Sequence, residues 1–357
     1  MIHVAVSKHV DLAGISEAAS CGESPGHVLN DLAQRMKLEV HPPVSEEACT
    51  RADRMRARIY GLPRHWATAR YLAETLTPGD VIFATGEDVG LPMAATFGYE
   101  RLRPRLVVFA HNVDRPRARL AAQLFRCKAN VDLWLTNAKP QFEYLVRTFG
   151  PDRVRMVPEQ TDTRFFRPGR GAKEGTRPLI AAVGLERRDY RTLAEATARL
   201  EVDVAISAFS RDATVIRELF PPQLPANMTC RFYAWPELLQ LYRSADLVVV
   251  PLVENRFCAG LTAVLEALAC QRPVIVSRTS GLASLCEEGV TYAVPAQHAA
   301  GLRTGIQHML ENPHVAQELA ARGYEWVQRG HTPRHWVNSI VDALTSLSPG
   351  PKQLTAV

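Results

Sequence analysis

Residues 246–278 read DLVVVPLVENRFCAGLTAVLEALACQRPVIVSR, and their reading decides the fold. The apolar run from Leu247 to Leu252 is bounded by polar residues, which is the pattern of a strand buried on both faces of a parallel sheet. A polar loop follows (Glu254, Asn255, Arg256), and then a turn at Ala259 and Gly260. From Leu261 to Cys270 the apolar residues and alanines predict a helix of about three turns. Pro273 marks its end, and Val274 to Val276 predict the next buried strand. The unit is strand, glycine turn, helix, strand, with a free helix N-terminus at the carboxyl edge of a sheet. Unpaired N–H groups and about half a positive charge gather at such an end, which suits a phosphate or diphosphate. Thr262 adds a hydroxyl there, and Glu266, one turn further in, can look back toward the same place.

This segment resembles the donor site of family-4 glycosyltransferases of GT-B fold. The resemblance rests on the glycine turn followed by Glu266, Ala267, Ala269, Pro273 and Val274 at the family's spacing. It implies an α/β protein of two Rossmann-like domains facing across a cleft. It also implies that Ala259, Gly260, Leu261 and Thr262 hold the diphosphate of a nucleotide-sugar, and Glu266 its ribose hydroxyls. One position departs from the pattern. The first glutamate should stand eight residues before Glu266, where this chain has Cys258. Glu254 lies in the same loop but out of register. On residues alone, a glutamate on an apolar helix after a glycine turn can equally serve as a cap or pair with a lysine.

At 357 residues the chain fits two domains of ordinary size. The expected division is an acceptor-side domain over 1–168, a linker over 169–177, a nucleotide-sugar domain over 178–333, and a terminal helix over 334–347 that crosses back to the first domain. A hydrophobic share of 46% and a charged share of 22% are those of a soluble globular protein. No apolar run is long enough to span a membrane, and the opening MIHVAVSKHV lacks a signal-peptide pattern. Seven cysteines without a CxxC pair argue against zinc and against a disulfide framework, so a reducing cytoplasm is the default. The net charge is +5, and arginines crowd two stretches: Arg51, Arg54, Arg56, Arg58, Arg64 and Arg70, then Arg101, Arg103, Arg105, Arg115, Arg117, Arg119 and Arg126. Such a surface suits an anionic partner, or is simply a solvated face. With the resemblance, the partners expected are a nucleotide-sugar donor and an acceptor that is anionic or at the inner membrane face, and no nucleic acid.

In the first half, Ile2 to Val6 predicts a strand, followed by a glycine-bearing loop through Cys21 to Gly26 that borders the acceptor. A helix is expected over His27 to Met36, with Ser24 as its N-cap and Pro25 in its first turn. Residues 45–75 read as helical. Val81 to Phe83 predicts a short strand ending in Ala84-Thr85-Gly86-Glu87-Asp88-Val89-Gly90. Glu87 or Asp88 at that end can hold acceptor hydroxyls or take a proton from one, or else cap a helix beginning near Leu91. The strand Leu106 to Ala110 delivers His111, which the resemblance casts as a ligand of a donor-sugar hydroxyl. Strands at Val131 to Thr136 and Val154 to Pro158 complete this half.

In the second half, Leu179 to Val183 predicts a strand whose following loop carries Arg187, Arg188 and Arg191. The resemblance places a cation there against the diphosphate, with Arg188 favoured and Arg187 next; all three facing solvent is the alternative. Strands follow at Val202 to Ala208 and Met228 to Tyr233. Tyr233 and Trp235 are candidates for the base pocket, or ordinary packing anchors. Glu311-Asn312-Pro313 breaks two late helices, and the tail from Ser348 reads as disordered.

The function implied is transfer of a sugar from a nucleotide-diphosphate sugar to an acceptor hydroxyl, with retention, without metal and without a cofactor. Two alternatives remain on the same fold: a sugar-nucleotide epimerase, and a nucleotide-sugar-binding protein without transferase activity, which Cys258 favours.

Overall fold

The computed structural model describes residues 1–98, 103–172, 175–208 and 216–347. Arg101, part of the expected linker and the tail from Ser348 lie outside the described residues. The chain forms two compact units. The first comprises Met1–Asp11, Leu29–Val157 and the chain from Val337; the second comprises Leu12–Val28 and Pro158–Trp336.

The first unit is built on β1 (Ile2–Ala5), β2 (Leu38–His41), β3 (Val81–Ala84), β4 (Arg105–Phe109), β5 (Leu133–Thr136) and β6 (Val154–Met156). All pair in parallel, in the order β2-β1-β3-β4-β5-β6. The second unit holds β7 (Leu179–Val183), β8 (Asp203–Ser207), β9 (Met228–Cys230), β10 (Leu247–Val250), β11 (Val274–Arg278) and β12 (Tyr292–Pro295). These are also parallel, in the order β12-β11-β10-β7-β8-β9. Parallel strands need crossover helices, which cover both faces and demand apolar side chains on each. Every residue of β3 and β10 is accordingly buried.

In each sheet the strand order reverses once: between β1 and β3 in the first, and between β7 and β10 in the second. Consecutive crossovers there leave to opposite sides, and the carboxyl ends of the two strands open a crevice. The candidate residues cluster at these two places.

Several local expectations are corrected. The stretch after β1 is a helix, Leu12–Ser20, and not a loop; its three alanines outweigh the cost of Gly14. The next helix starts at Val28, and Ser24 does not cap it, its hydroxyl turning to the carbonyl of Pro25 instead. Residues 45–75 break into a short turn of helix at Glu46–Ala48 and helices Arg51–Ala57 and Pro63–Thr75. The second of these is capped by Thr50, whose hydroxyl accepts the Asp53 N–H. β2 lacked the continuous apolar run of a central strand because it is an edge, with none of its residues fully buried.

Candidate functional site

At the reversal point of the second unit, β10 runs into a loop that enters helix Leu261–Ala269 through Gly260. Gly260 has φ +91°, and a Cβ on it would lie 2.9 Å from Val250 Cγ1, so the turn has room for glycine alone. Ala259 and Leu261 are buried at this turn, while Thr262 stands exposed in the first helical turn. The loop after β7 comes to the same edge: the N–H of Asp189 donates to the carbonyl of Pro251, and that of Val253 to the carbonyl of Arg187.

Between these loops lies Arg188, 5% exposed. Its Nε donates to the Val183 carbonyl at 2.8 Å and its Nη1 to the Glu186 carbonyl at 2.9 Å. Gly184, at φ +101°, passes directly over the guanidinium, where a Cβ would overlap Nη2. A Cβ on Gly260 would come 3.4 Å from Nη1. The cation thus lies beneath both glycine turns, beside the helix N-terminus. Arg187 is exposed and lies in the left-handed region, φ +57°.

Glu266 is 8% exposed, and its Oε2 accepts a 2.7 Å hydrogen bond from the Tyr242 hydroxyl. Burial pushes its pKa up to about 7, against the opposing pull of the Tyr242 hydrogen bond and the Arg188 charge. Burial likewise lowers Arg188 from its ordinary value and raises Tyr242 well above its own. Tyr242 is a partner that sequence reading missed, since nothing in its local pattern marks it off from the apolar face of helix Trp235–Ser244. Tyr233 is half-buried with the Arg231 guanidinium 3.7 Å from its ring centre, and Trp235, 38% exposed, meets Phe166 edge-on at 6.4 Å.

Cys258 stands in the same loop, where burial drives its thiol pKa far up, so the thiol is neutral. The Glu254 Oε1 accepts the Ser280 N–H at 3.0 Å, at the first residue of the short helix Ser280–Leu282.

At the reversal point of the first unit, Glu87 opens helix Glu87–Thr96 directly, so Asp88 is not a cap for a helix starting later. The Glu87 carboxylate is buried and committed on both oxygens. Oε2 accepts the His111 N–H at 2.8 Å and Oε1 the Asn112 N–H at 3.0 Å. The carboxylate anchors the strand end that presents His111. Asp88 is more open, with its Oδ1 accepting from the Ser7 hydroxyl at 2.8 Å. His111 is exposed, its ring against Phe109, with Nε2 3.0 Å from the Thr85 carbonyl. A carbonyl only accepts, so Nε2 carries the proton in that bond and Nδ1 is the acceptor of the neutral ring. Buried His65, which sequence reading passed over, ties the two loops by placing its ring nitrogens 3.1 Å from the Ser7 and Asp88 carbonyls.

The two Arg-rich stretches meet on this unit. Arg117 donates to the carbonyls of Ile59 and Arg58 at 2.7 and 3.0 Å, bringing helix Pro116–Leu124 beside the end of helix Arg51–Ala57. Arg51, Arg54, Arg56, Arg58, Arg115, Arg119 and Arg126 are exposed there, interleaved with exposed Met55, Ile59, Leu62, Leu120 and Leu124. No described helix is long and apolar enough to cross a membrane.

Comparison with known proteins agrees with this geometry. Residues 191–342 match the family model described as glycosyl transferase-like. The chain is similar to the D-inositol 3-phosphate glycosyltransferase of Acidothermus cellulolyticus, 27% identical over 248 residues that cover 59% of this chain and 52% of the relative. It is likewise similar to that of Geodermatophilus obscurus, 31% identical over 265 residues, 65% of this chain and 56% of the relative. The chain spans about half the length of the curated relatives it matches. Among solved structures it resembles a UDP-forming α,α-trehalose-phosphate synthase from Burkholderia vietnamiensis, with a TM-score of 0.73 at 14% identity over 97% of this chain and 98% of the other. Sucrose-phosphate synthase from Thermosynechococcus elongatus gives 0.70 at 20% identity, over 97% and 99%. HepE of Anabaena in complex with UDP-glucose gives 0.67 at 15%, over 97% and 100%. The architecture is the GT-B glycosyltransferase fold.

Proposed function

We propose that this chain transfers a sugar from a nucleotide-diphosphate sugar to an acceptor hydroxyl, with retention at the anomeric carbon and without a metal ion or cofactor. The observation that carries the reading is the buried Arg188 guanidinium set beneath Gly184 and Gly260 at a helix N-terminus. A diphosphate leaving group gains charge as the glycosidic bond breaks. A fixed cation and convergent backbone N–H groups, in a site of low dielectric, supply the stabilisation that a divalent ion gives elsewhere. The names of the relatives and the UDP-glucose complex of HepE support a nucleotide-sugar donor.

In this reading the amides of Gly260 and Thr262 and the Arg188 guanidinium hold the diphosphate, the Leu261 N–H already donating to the Cys258 carbonyl at 3.1 Å. Glu266 exchanges or shares its Tyr242 bond with ribose hydroxyls, and Tyr233 and Trp235 border the base. His111 offers Nδ1 to a sugar hydroxyl, Glu87 positions it, and Asp88 is the more exposed carboxylate that meets the acceptor. The Arg-rich face with its apolar side chains fits an acceptor that is anionic or lies at a membrane surface. Relatives named for a phosphorylated polyol agree with an anionic acceptor.

A second reading, a nucleotide-sugar binder without transfer, is favoured by the neutral Cys258 thiol where a carboxylate is expected. The experiment that separates them is release of nucleoside diphosphate from a panel of UDP-, GDP- and ADP-sugars with inositol phosphate or anionic vesicles as acceptor, the product anomer being read by NMR. Transfer with retention supports the proposal. Tight binding of the nucleotide without release would establish the binder.

A further inference from the structure

Away from both reversal points, β1 and β2 bring three metal-ligand side chains together at the edge of the first sheet. Parallel pairing sets Glu39 opposite His3 and His41 opposite Ala5, and the two-residue period of a strand puts Glu39 and His41 on one face. His3 Nδ1 lies 2.9 Å from His41 Nε2. Glu39 Oε2 lies 3.5 Å from the first nitrogen and 3.9 Å from the second. Ligand atoms at 2.0–2.1 Å from a tetrahedral cation stand about 3.3–3.4 Å from one another. The three separations straddle that value, so shifts of about half an ångström would close the ring on an ion.

We propose that His3, His41 and Glu39 form a zinc site that clamps the edge strand β2 onto β1, with water as the fourth ligand. Two imidazoles and one carboxylate suit Zn²⁺, whereas Mg²⁺ and Ca²⁺ call for oxygen ligands. The surroundings place a carboxylate behind His3. The second nitrogen of His3, Nε2, faces Asp80 Oδ1 at 3.7 Å. Asp80 is itself fixed, its Oδ2 accepting from the N–H and the hydroxyl of Thr77, both at 2.8 Å. At 3.7 Å the two are in charge contact and not hydrogen-bonded, and the same Oδ1 accepts the N-terminal ammonium at 2.7 Å. His3 is buried and His41 nearly so, while Glu39, 58% exposed, opens the site to solvent. Cross-linking matters here because β2 pairs with one neighbour alone.

The test is equilibrium dialysis of the full chain against Zn²⁺, with Mg²⁺ and Ca²⁺ as controls. Exposed Cys21 and Cys230 are competing zinc binders, so the decisive readout is the difference between wild type and the variants His41→Asn and Glu39→Gln. Co²⁺ substitution adds a spectrum that tells nitrogen–oxygen ligation from thiolate. The site predicts one equivalent of Zn²⁺ in wild type, affinity at least about tenfold weaker in each variant, and a Co²⁺ spectrum without thiolate bands. Glu39 is exposed, so Glu39→Gln decides the matter should His41→Asn fold poorly. Equal uptake by wild type and Glu39→Gln, or no uptake by wild type, would overturn the proposal and leave an ordinary hydrogen-bonded histidine pair.

Discussion

The two reversal points are built alike and solve different problems. In the second unit the charge is sunk: Arg188, Glu266 and Tyr242 are all buried, and two left-handed glycines admit the backbone to the cation. In the first unit the buried carboxylate is spent on backbone, since Glu87 binds the amides of His111 and Asn112, and the histidine it supports is exposed. One place buries its charge among backbone carbonyls and a tyrosine hydroxyl; the other uses its charge to hold the strand end that carries an exposed side chain. The same strand order therefore supports a buried cation beside a helix N-terminus on one sheet and an exposed imidazole on the other.

The largest effect that would break this contrast is at Arg188. Replacing it by methionine keeps its volume and removes the cation. Nucleoside diphosphate affinity should fall by about 100-fold, or about 3 kcal/mol, because a bidentate charged contact is lost. Stability to urea should change little, because relief of a buried charge opposes the loss of its bonds to the Val183 and Glu186 carbonyls. Next come the anchors. Glu87→Gln leaves one of two buried amides without an acceptor and should cost about 1–3 kcal/mol in a urea titration, with turnover falling as His111 loses its setting. Gly260→Ala forces a left-handed φ on a residue with a Cβ against Val250 and should cost about 1–2 kcal/mol. Gly86→Ala, at an extended φ of −159°, should merely push the Asp88 carboxylate aside.

His111→Ala sharpens the comparison from the other side. As the side chain is exposed, unfolding free energy should stay within about 0.5 kcal/mol, while turnover drops tenfold or more and nucleotide affinity barely moves. Equal losses in both would remove it from the sugar. The smallest effect is with pH. Glu266 in the folded chain titrates near 7 against an ordinary value of 4.5, so the folded state holds more protons than the unfolded state between those values. Its contribution is favourable below that window and is lost as pH rises through it, with no further change above. Wild type should therefore lose stability relative to Glu266→Gln from about pH 4.5 to 7, which a series of thermal melts would show; parallel curves would mean the group is not buried as described.

What the sequence made legible follows from how each feature is encoded. Strands buried on both faces announce themselves: Leu247 to Leu252 and Leu179 to Val183 are continuous apolar runs, and the glycine turn into helix Leu261–Ala269 is read from local spacing. Arg188 was separable from Arg187 and Arg191 only as a preference, because which arginine turns inward depends on the left-handed φ at Arg187 and on the bridge between Arg188 and Leu252. Glu87 and Asp88 could not be told apart in sequence because the partners of Glu87 are backbone amides 24 and 25 residues away, and backbone groups leave no mark in a sequence. β2 escaped for the same kind of reason, as an edge strand with mixed exposure lacks the apolar run. The His3, Glu39 and His41 group exists only through the pairing of that strand with β1.

The most direct test is calorimetric titration of UDP, GDP and ADP into wild type and Arg188→Met, with and without Mg²⁺. The account predicts that one diphosphate binds wild type equally well in both conditions, and that Arg188→Met loses about 100-fold while melting as wild type does. Binding that needs Mg²⁺, or that survives unchanged in Arg188→Met, would contradict it.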